Sequence, residues 1–296
     1  MSIEKQDSNQ ITRDYFDSLL IEMRHIDSDI PDTGINLFGQ NFSMPIATAA
    51  LSHLNGTAPD GMAEMARGAY MANALCFSGM GEEEEIRKMC VTGAKVIKIV
   101  KPHAENSMVF KKIKEAEDAG AFGVGMDIDH AFSWNGEYDN VMGLPMKSKS
   151  LEEMKSFAKS TKLPFIVKGV LSVSDAVKCL DMGAAGIIVS HHHGIMQNAV
   201  PPLMILPKIK EVIGNRIPIF VDCCIESGMD AFKALALGAD AVCTGRAIMP
   251  PLKEKGADGV KEKLVEMNGG LKAVMERTGF KTISEINDSV IYHRNF

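Results

Sequence analysis

The sequence predicts a (β/α)8 barrel, the TIM-barrel fold, because a βα unit of about 30 residues recurs along the 296-residue chain. Four segments show one pattern, in which a helical stretch ends at a Gly-Ala pair and an apolar strand follows. A glycine suits this place because it readily adopts the left-handed conformation that ends many helices. The four glycines are Gly93, Gly120, Gly183 and Gly238, and the intervals between them correspond to one, two and two units.

The remaining apolar runs bring the number of predicted strands to eight. These runs do not alternate with polar residues, so both faces of each strand are expected to be buried, as in a parallel sheet. A doubly wound sheet is the main competitor, but no G-x-G-x-x-G follows any strand. The predicted strands are residues 44–50, 74–78, 96–100, 123–129, 164–168, 186–190, 218–222 and 241–244.

We predict a single barrel domain over residues 1–296, in which residues 1–43 form an N-terminal extension before the first strand. Helical periodicity is clear at residues 108–119 and 173–182, between predicted strands. A late helix at residues 264–277 is expected to close the ring.

Composition and charge narrow the classes of function. The net charge is −6 and no basic block occurs, so nucleic acid and anionic membranes are not expected as partners. No apolar run reaches the roughly 18 residues of a membrane-spanning helix. The polar N-terminus lacks the apolar stretch of a signal peptide. We therefore expect a cytoplasmic protein that acts on a small-molecule substrate.

Polar side chains stand at the carboxyl end of every predicted strand, where barrels of this type carry their chemistry. One such group alone could be a solvated loop residue or part of a buried ion pair, but eight converging ends favour a functional site. They are Thr48, Ser78, Lys98, Asp127 with Asp129, Lys168, Ser190 with the run His191-His192-His193, Asp222, and Thr244-Gly245-Arg246.

Three of these positions suggest particular chemistry. Gly245 and Arg246 follow the last strand, where barrels commonly bind a phosphate. Lys168 could be a Schiff-base nucleophile or a cation that faces a developing anion. Consecutive residues of an extended chain point in opposite directions, so the three histidines are not expected to bind one metal ion, and no metal site is predicted. One histidine acting as a general base is favoured.

Three segments resemble the FMN-dependent α-hydroxy acid oxidase/dehydrogenase family, which includes glycolate oxidase and lactate oxidase. They are residues 165–176 (FIVKGVLSVSDA), residues 183–194 (GAAGIIVSHHHG) and residues 230–242 (DAFKALALGADAV) with Gly245-Arg246. The resemblance is strong from about residue 160 to 250 and extends weakly over most of the chain.

The resemblance implies an FMN in the mouth of the barrel. Lys168 would face the N1/O2 edge of the flavin, and His193 would take the hydroxyl proton while hydride passes to flavin N5. The family has one residue between the serine and the catalytic histidine, whereas this chain has two, so His192 is the alternative base. The other implied cofactor-binding residues are Thr48, Ala49 and Ala50 beside the flavin, Ser78 near its ring, Lys98 and Asp127 where the family has a glutamine and a threonine, Ser190 at the ribityl chain, and Asp222, Gly245 and Arg246 at the ribityl chain and phosphate.

The chain departs from the family pattern where the family binds a substrate carboxylate. Met196 stands where the family has an arginine, and residues 131–138 contain no counterpart of a second arginine. A carboxylate could instead meet Lys98, Lys101 or a charged histidine, or the substrate could be a different, neutral compound.

The phosphate end shows two further departures. The family's Gly-Gly after the seventh strand is Cys223-Cys224, and a nearby family arginine is Glu226. Because a carboxylate repels a phosphate, Glu226 is expected to weaken flavin binding unless it turns outward.

The resemblance implies an FMN-dependent oxidoreductase that oxidises an α-hydroxy acid or a related hydroxy compound. Two alternatives stay open at this point. One is an FMN barrel with a different reaction, an isomerase or a reductase, and the other is a non-catalytic barrel that binds a phosphorylated metabolite. The resemblance also implies a homo-oligomer, a tetramer or larger.

Overall fold

A computed structural model describes residues 7–294 and confirms the predicted barrel. Eight parallel strands close on themselves, each paired with its neighbours in chain order and the last paired with the first. The strand ends fall within two residues of the predicted ones. The strands are β1 Ile46–Leu51, β2 Cys76–Ser78, β3 Val96–Val100, β4 Gly123–Asp127, β5 Phe165–Val170, β6 Gly186–Val189, β7 Ile219–Val221 and β8 Ala241–Thr244.

Helices join the strands and form the outer layer. The four glycines of the repeat all have positive φ, between 81° and 111°, as a left-handed helix end requires. None of the helices in residues 7–294 is long and apolar enough to cross a lipid bilayer. The helices are α1 Ser8–Ser18, α2 Gly61–Met71, α3 Glu83–Cys90, α4 Asn106–Asp118, α5 Leu151–Lys159, α6 Val173–Asp181, α7 Pro202–Ile213, α8 Gly228–Ala236 and α9 Met249–Thr278.

Apolar side chains fill the amino end of the barrel. A hairpin of the N-terminal extension, with strands Ile35–Leu37 and Gln40–Phe42, packs against this end. The Phe38 ring stacks on Phe220, which in turn meets the Phe77 ring edge to face. Because this end is closed by apolar packing, the polar carboxyl end is the one available for a site.

The first helix of the extension, α1, lies against the loops that follow β6 and β7. Ser8 Oγ donates to the carbonyl oxygen of Met196 over 2.5 Å, and Arg13 Nη2 lies 2.9 Å from Asp230 Oδ1. Thr12 Oγ1 lies 2.8 Å from His191 Nε2. The predicted extension therefore forms part of the rim of the barrel mouth.

Phe220→Ala is expected to lower the free energy of unfolding by about 3–5 kcal/mol, because a fully buried aromatic side chain would leave a cavity. Chemical denaturation measures this change. Trp134→Ala serves as the control, since its side chain is 95% exposed, and should change stability by no more than about 0.5 kcal/mol. Similar losses in both variants would contradict the packing described for the barrel interior.

Candidate active site

Lys168 on β5 places an ammonium group at the centre of the polar end. Its Nζ lies 3.2 Å from Asp127 Oδ1 and 3.7 Å from Asp222 Oδ2. Burial acts to lower the pKa of this lysine, but the Asp127 and Asp222 carboxylates outweigh it and raise the pKa above its ordinary value. The group is therefore a cation at neutral pH, which disfavours a Schiff-base role and suits a role facing a developing anion.

Asp127 at the end of β4 links two lysines. The register of β4 and β5 sets it directly beside Lys168, and its Oδ2 accepts a hydrogen bond from Lys101 Nζ over 2.7 Å. Burial acts to raise the pKa of Asp127, but Lys168, His192 and Lys101 hold it well below its usual range. The observed role of Asp127 is to hold the two ammonium groups in place, while its predicted contact with flavin stays a prediction.

The neighbouring strand ends carry Ser78 and Lys98. The Ser78 hydroxyl is buried and has no hydrogen-bond partner in residues 7–294. Lys98 is only 3% exposed, and its Nζ donates to the carbonyl oxygen of Gly81 over 3.3 Å. Burial lowers the pKa of Lys98 to about 8.

The three consecutive histidines point in three directions, because His192 and His193 both have left-handed backbone, with φ of 48° and 56°. His191 is buried, accepts a hydrogen bond from the Gly194 N–H and contacts Thr12 of α1. His193 is exposed, and its Nδ1 lies 2.6 Å from the Asn9 side-chain oxygen. His192 alone of the three contacts Lys168, with 3.1 Å between Nδ1 and Nζ.

His192 is held by carboxylates from the region of β4. Its Nδ1 lies 3.0 Å from Asp129 Oδ1 and 3.4 Å from Asp127 Oδ1. Burial and the charge of Lys168 act to lower the pKa of His192, but the hydrogen bonds with Asp127 and Asp129 outweigh them and raise it. His192 therefore lies against Lys168 and the two carboxylates, whereas His193, the base favoured from the sequence, contacts the rim helix, and the identity of the base stays a prediction.

His130 is a member of this cluster that the sequence did not suggest. Its Nε2 lies 3.1 Å from His192 Nε2, and its Nδ1 lies 3.1 Å from Asp139 Oδ2. The only signal in the sequence is that His130 directly follows Asp129 in the loop after β4.

Asp127, Asp129 and His192 also bring metal-binding atom types within 4.8 Å of one another. The Lys168 ammonium lies 3.2 Å from Asp127 Oδ1 and 3.1 Å from His192 Nδ1. A lysine therefore already supplies the cation at this place. The absence of a metal site stays a prediction.

A cleft with about 690 Å³ of empty space, open to solvent, runs from Lys168 and His192 to the loops after β7 and β8. Ala49 and Ala50 of β1 form one wall, and Asp222 lines the cleft beside Lys168. The far end is bordered by Gly245 and Arg246, and the Arg246 guanidinium has no hydrogen-bond or ion-pair partner within the described chain. His193 and Glu226 border the cleft as well.

Thr48 and Ser190, two further predicted flavin contacts, have structural partners at this end of the barrel. Thr48 Oγ1 donates to Cys76 Sγ over 3.3 Å and accepts from the Phe77 N–H. Ser190 Oγ accepts from the His192 N–H over 3.0 Å, which holds the turn that carries His192. Their contacts with a cofactor stay predictions.

The residues at this end fit a flavin nucleotide. The unpartnered Ser78 hydroxyl offers a hydrogen bond to a ring, and Lys168 offers a positive charge to its electron-accepting edge. The unpaired Arg246, beside the start of the helical segment Arg246–Ile248 and of α9, suits a phosphate group. The fold and the site together define a flavin-binding (β/α)8 barrel.

The comparison with protein families agrees with this class. The model of the family described as FMN-dependent dehydrogenase matches residues 2–156 and 146–293. The chain therefore belongs to the FMN-dependent dehydrogenase family. This confirms the family predicted from the sequence and, with it, FMN as the cofactor.

Individual relatives extend the comparison. A 2-hydroxyacid oxidase of Dictyostelium discoideum is 36% identical over 197 residues, which cover 66% of this chain but only 46% of that protein. Glycolate oxidase 3 of Arabidopsis thaliana is 27% identical over 321 residues, with coverage of 96% and 87%. A solved structure of mandelate oxidase with 3,3-difluoro-2-hydroxy-3-phenylpropionic acid has a TM-score of 0.88 at 25% identity, covering 97% of this chain and 90% of the other.

Arg246→Ala is expected to weaken FMN binding by roughly 10- to 100-fold, because a charge-assisted hydrogen bond to phosphate contributes about 1.5–3 kcal/mol. Quenching of FMN fluorescence gives the dissociation constant. The control is Arg67→Ala, which removes an exposed arginine paired with Glu64 on α2 and should leave FMN affinity unchanged. Equal affinities of wild type and Arg246→Ala would contradict the phosphate site.

Glu226→Gln, which removes a repulsive charge from the same cleft, should tighten FMN binding in the same fluorescence assay.

The stability of the protein should depend on pH through Lys98. The folded-state pKa of about 8 lies below the ordinary value of 10.5, so between these limits the unfolded chain keeps a proton that the folded chain has lost. The free energy of unfolding should therefore rise with pH in this window, relative to Lys98→Met, by up to about 3 kcal/mol. Chemical denaturation at several pH values measures the difference. Lys159→Met, at an exposed lysine of α5, is the control, and parallel profiles for wild type and Lys98→Met would refute the assignment.

Proposed function

We propose that this protein is an FMN-dependent oxidoreductase that oxidises an α-hydroxy acid, or a related hydroxy compound, to the corresponding carbonyl compound. The observation that carries the proposal is the contact of His192 with both Asp129 and Lys168 at the mouth of the barrel. A proton acceptor and a fixed positive charge lie side by side there, as the oxidation of an alcohol by a hydride acceptor requires. The relatives named as 2-hydroxyacid oxidase and glycolate oxidase support the substrate class.

His192 is the proposed base. Asp129 holds its Nδ1 as an N–H, so the neutral ring presents a lone pair at Nε2, which would accept the proton of the substrate hydroxyl. The bound flavin supplies the hydride acceptor for the hydrogen on the α-carbon. As the hydroxyl proton and the hydride leave, the C–O single bond becomes a carbonyl, and His192 keeps the proton.

Lys168 has an electrostatic role in this proposal. A preformed cation in a buried place stabilises developing negative charge without reorganisation, and a bound flavin that accepted a hydride would carry such charge. Asp127 and Asp222 keep the ammonium group protonated and fix its position. Ser78 and Arg246 would hold the ring and the phosphate of the cofactor.

His192→Gln is expected to lower the rate of flavin reduction by about 100-fold or more, the usual contribution of a general base, while FMN stays bound. His193→Gln is the matched control and should stay within a few-fold of wild type, because its ring faces Asn9 on the rim. Anaerobic stopped-flow absorbance with glycolate, lactate and mandelate measures the rate.

A large loss in His193→Gln with little loss in His192→Gln would contradict the assignment of the base. A wild-type protein that binds FMN but is reduced by none of the hydroxy acids would overturn the proposed reaction. That result would favour the alternative of a flavin barrel with a different reaction.

A further inference from the structure

The loop after β4 places a second imidazole directly against the proposed base. The rings of His130 and His192 meet edge to face, with centroids 4.2 Å apart and an interplanar angle of 80°. Their Nε2 atoms are 3.1 Å apart, and the two Nδ1 atoms contact Asp139 and Asp129, respectively. A chain of three hydrogen bonds therefore runs from Asp129 through both rings to Asp139.

This chain determines how many protons the two rings hold. An ionised carboxylate only accepts hydrogen bonds, so Nδ1 of His192 and Nδ1 of His130 both carry a proton. The contact between the Nε2 atoms needs a third proton, whereas two neutral imidazoles hold only two. The pair therefore carries one extra proton and one positive charge.

An alternative assignment, in which His192 Nδ1 accepts a hydrogen bond from Lys168, leaves Asp129 without a donor. Asp129 Oδ2 is buried and has no partner in residues 7–294, and His192 Nδ1 is the partner of Oδ1. A buried carboxylate without any donor is strongly disfavoured. The proton count of the pair therefore stands.

The other cations near the mouth already have partners or lie elsewhere. Lys98 donates to a backbone carbonyl oxygen, and both Lys101 and Lys168 donate to Asp127. Arg246 lies at the far end of the cleft, by the predicted phosphate site. The His130–His192 pair is thus the positively charged group at the proposed base that can bind an anion by exchanging one hydrogen bond.

We propose that His130 is the residue that binds the substrate carboxylate, and that carboxylate binding moves the shared proton from His192 to His130. The substrate carboxylate accepts a hydrogen bond from His130 Nε2–H, and the substrate hydroxyl on the adjacent carbon donates to His192 Nε2. The inference rests on the proposed function, and it adds the residue that would bind the carboxylate of a hydroxy acid.

The proton balance of this step is simple. Before binding, the proton between the two Nε2 atoms belongs to His192, and His130 is neutral with its proton on Nδ1. Burial and the charges of Lys101 and His192 lower the pKa of His130, although the hydrogen bond with Asp139 acts to raise it. The pKa of His192, in contrast, is raised. After transfer His130 is the imidazolium, and His192 is neutral with a lone pair at Nε2. No proton enters or leaves the pair.

This step accounts for how a histidine with a raised pKa can act as a base. A protonated His192 cannot accept the hydroxyl proton, and an anion beside His130 makes the proton more favourable on that ring. A substrate with a carboxylate therefore generates its own base, whereas the corresponding amide does not.

Oxalate tests the carboxylate site directly, because it presents carboxylate oxygens on adjacent carbons and has no hydrogen to transfer. The FMN-loaded protein is titrated with oxalate, and the dissociation constant is read from the flavin difference spectrum. His130→Gln should weaken binding about tenfold or more, the loss expected for a charge-assisted hydrogen bond. His130→Arg, which restores a cation, should bind within a few-fold of wild type, and so should His25→Gln, at an exposed histidine.

Oxalate binding should also weaken as pH rises, because the pair loses its extra proton, and this dependence should be shallower in His130→Arg, whose guanidinium keeps its positive charge. Asp127 stays ionised and Lys168 stays protonated across the neutral range, so they do not supply the change. The charged groups that face the pair are Asp127, Asp129, Asp139, Lys101 and Lys168.

Nitrogen NMR of the histidine side chains separates this role from a merely structural one. On addition of 2-hydroxyisobutyrate, whose hydroxyl can donate to His192 and whose hydroxyl-bearing carbon has no hydrogen to transfer, the His130 ring nitrogens should shift to the values of a doubly protonated ring, and those of His192 to a singly protonated ring. Asp139→Asn, which removes the carboxylate that holds His130, should reduce both the shift and the oxalate affinity without removing FMN.

The inference and the proposed function can fail separately. If His130→Gln binds oxalate as tightly as wild type, the inference is overturned even where hydroxy acids reduce the flavin. If no hydroxy acid reduces the flavin but oxalate binding still depends on His130, the carboxylate site stands and the proposed reaction falls.

Discussion

The buried positive charge of Lys168 is the constraint on which the arrangement of the barrel mouth depends. An ammonium group taken out of water is strongly unfavourable unless carboxylates surround it. The register of β4 and β5 supplies Asp127 on one side, and the end of β7 supplies Asp222 on the other. His192 lies against the same charge, so it needs Asp129 to remain in place. The parallel strands thus determine the electrostatics of the site before any ligand is bound.

Features set by local pattern could be predicted from the sequence, and features set by long-range packing could not. The eight strands follow from apolar runs and from glycines at helix ends, which are properties of a few consecutive residues. The directions in which the His192 and His193 side chains point depend on the left-handed backbone of both residues. The His193 side chain is also held by Asn9 of α1, which lies far away along the chain. The family pattern His-Gly favoured His193 as the base, whereas His192 is the neighbour that contacts Lys168. His130 had no signal beyond its place next to Asp129.

The loop after β7 holds two residues with side chains in a backbone conformation that favours glycine. Cys223 and Cys224 have φ of 70° and 59°, in the left-handed region that favours glycine. Such a conformation is unfavourable by about 1–2 kcal/mol for a residue with a side chain. The pair nevertheless adopts this conformation, and it borders the cleft that Arg246 also lines. In the proposed recognition of the substrate, an imidazole pair takes the place of the guanidinium that the family resemblance implies.

A crystal structure of the FMN-loaded protein would show whether the flavin lies against Lys168 and His192. We expect the flavin ring within hydrogen-bond distance of Lys168 Nζ and Ser78 Oγ, the phosphate against Arg246, and the His192 ring facing the open side of the flavin. A flavin bound elsewhere, or a ring in this cleft with His192 turned away from it, would contradict the account.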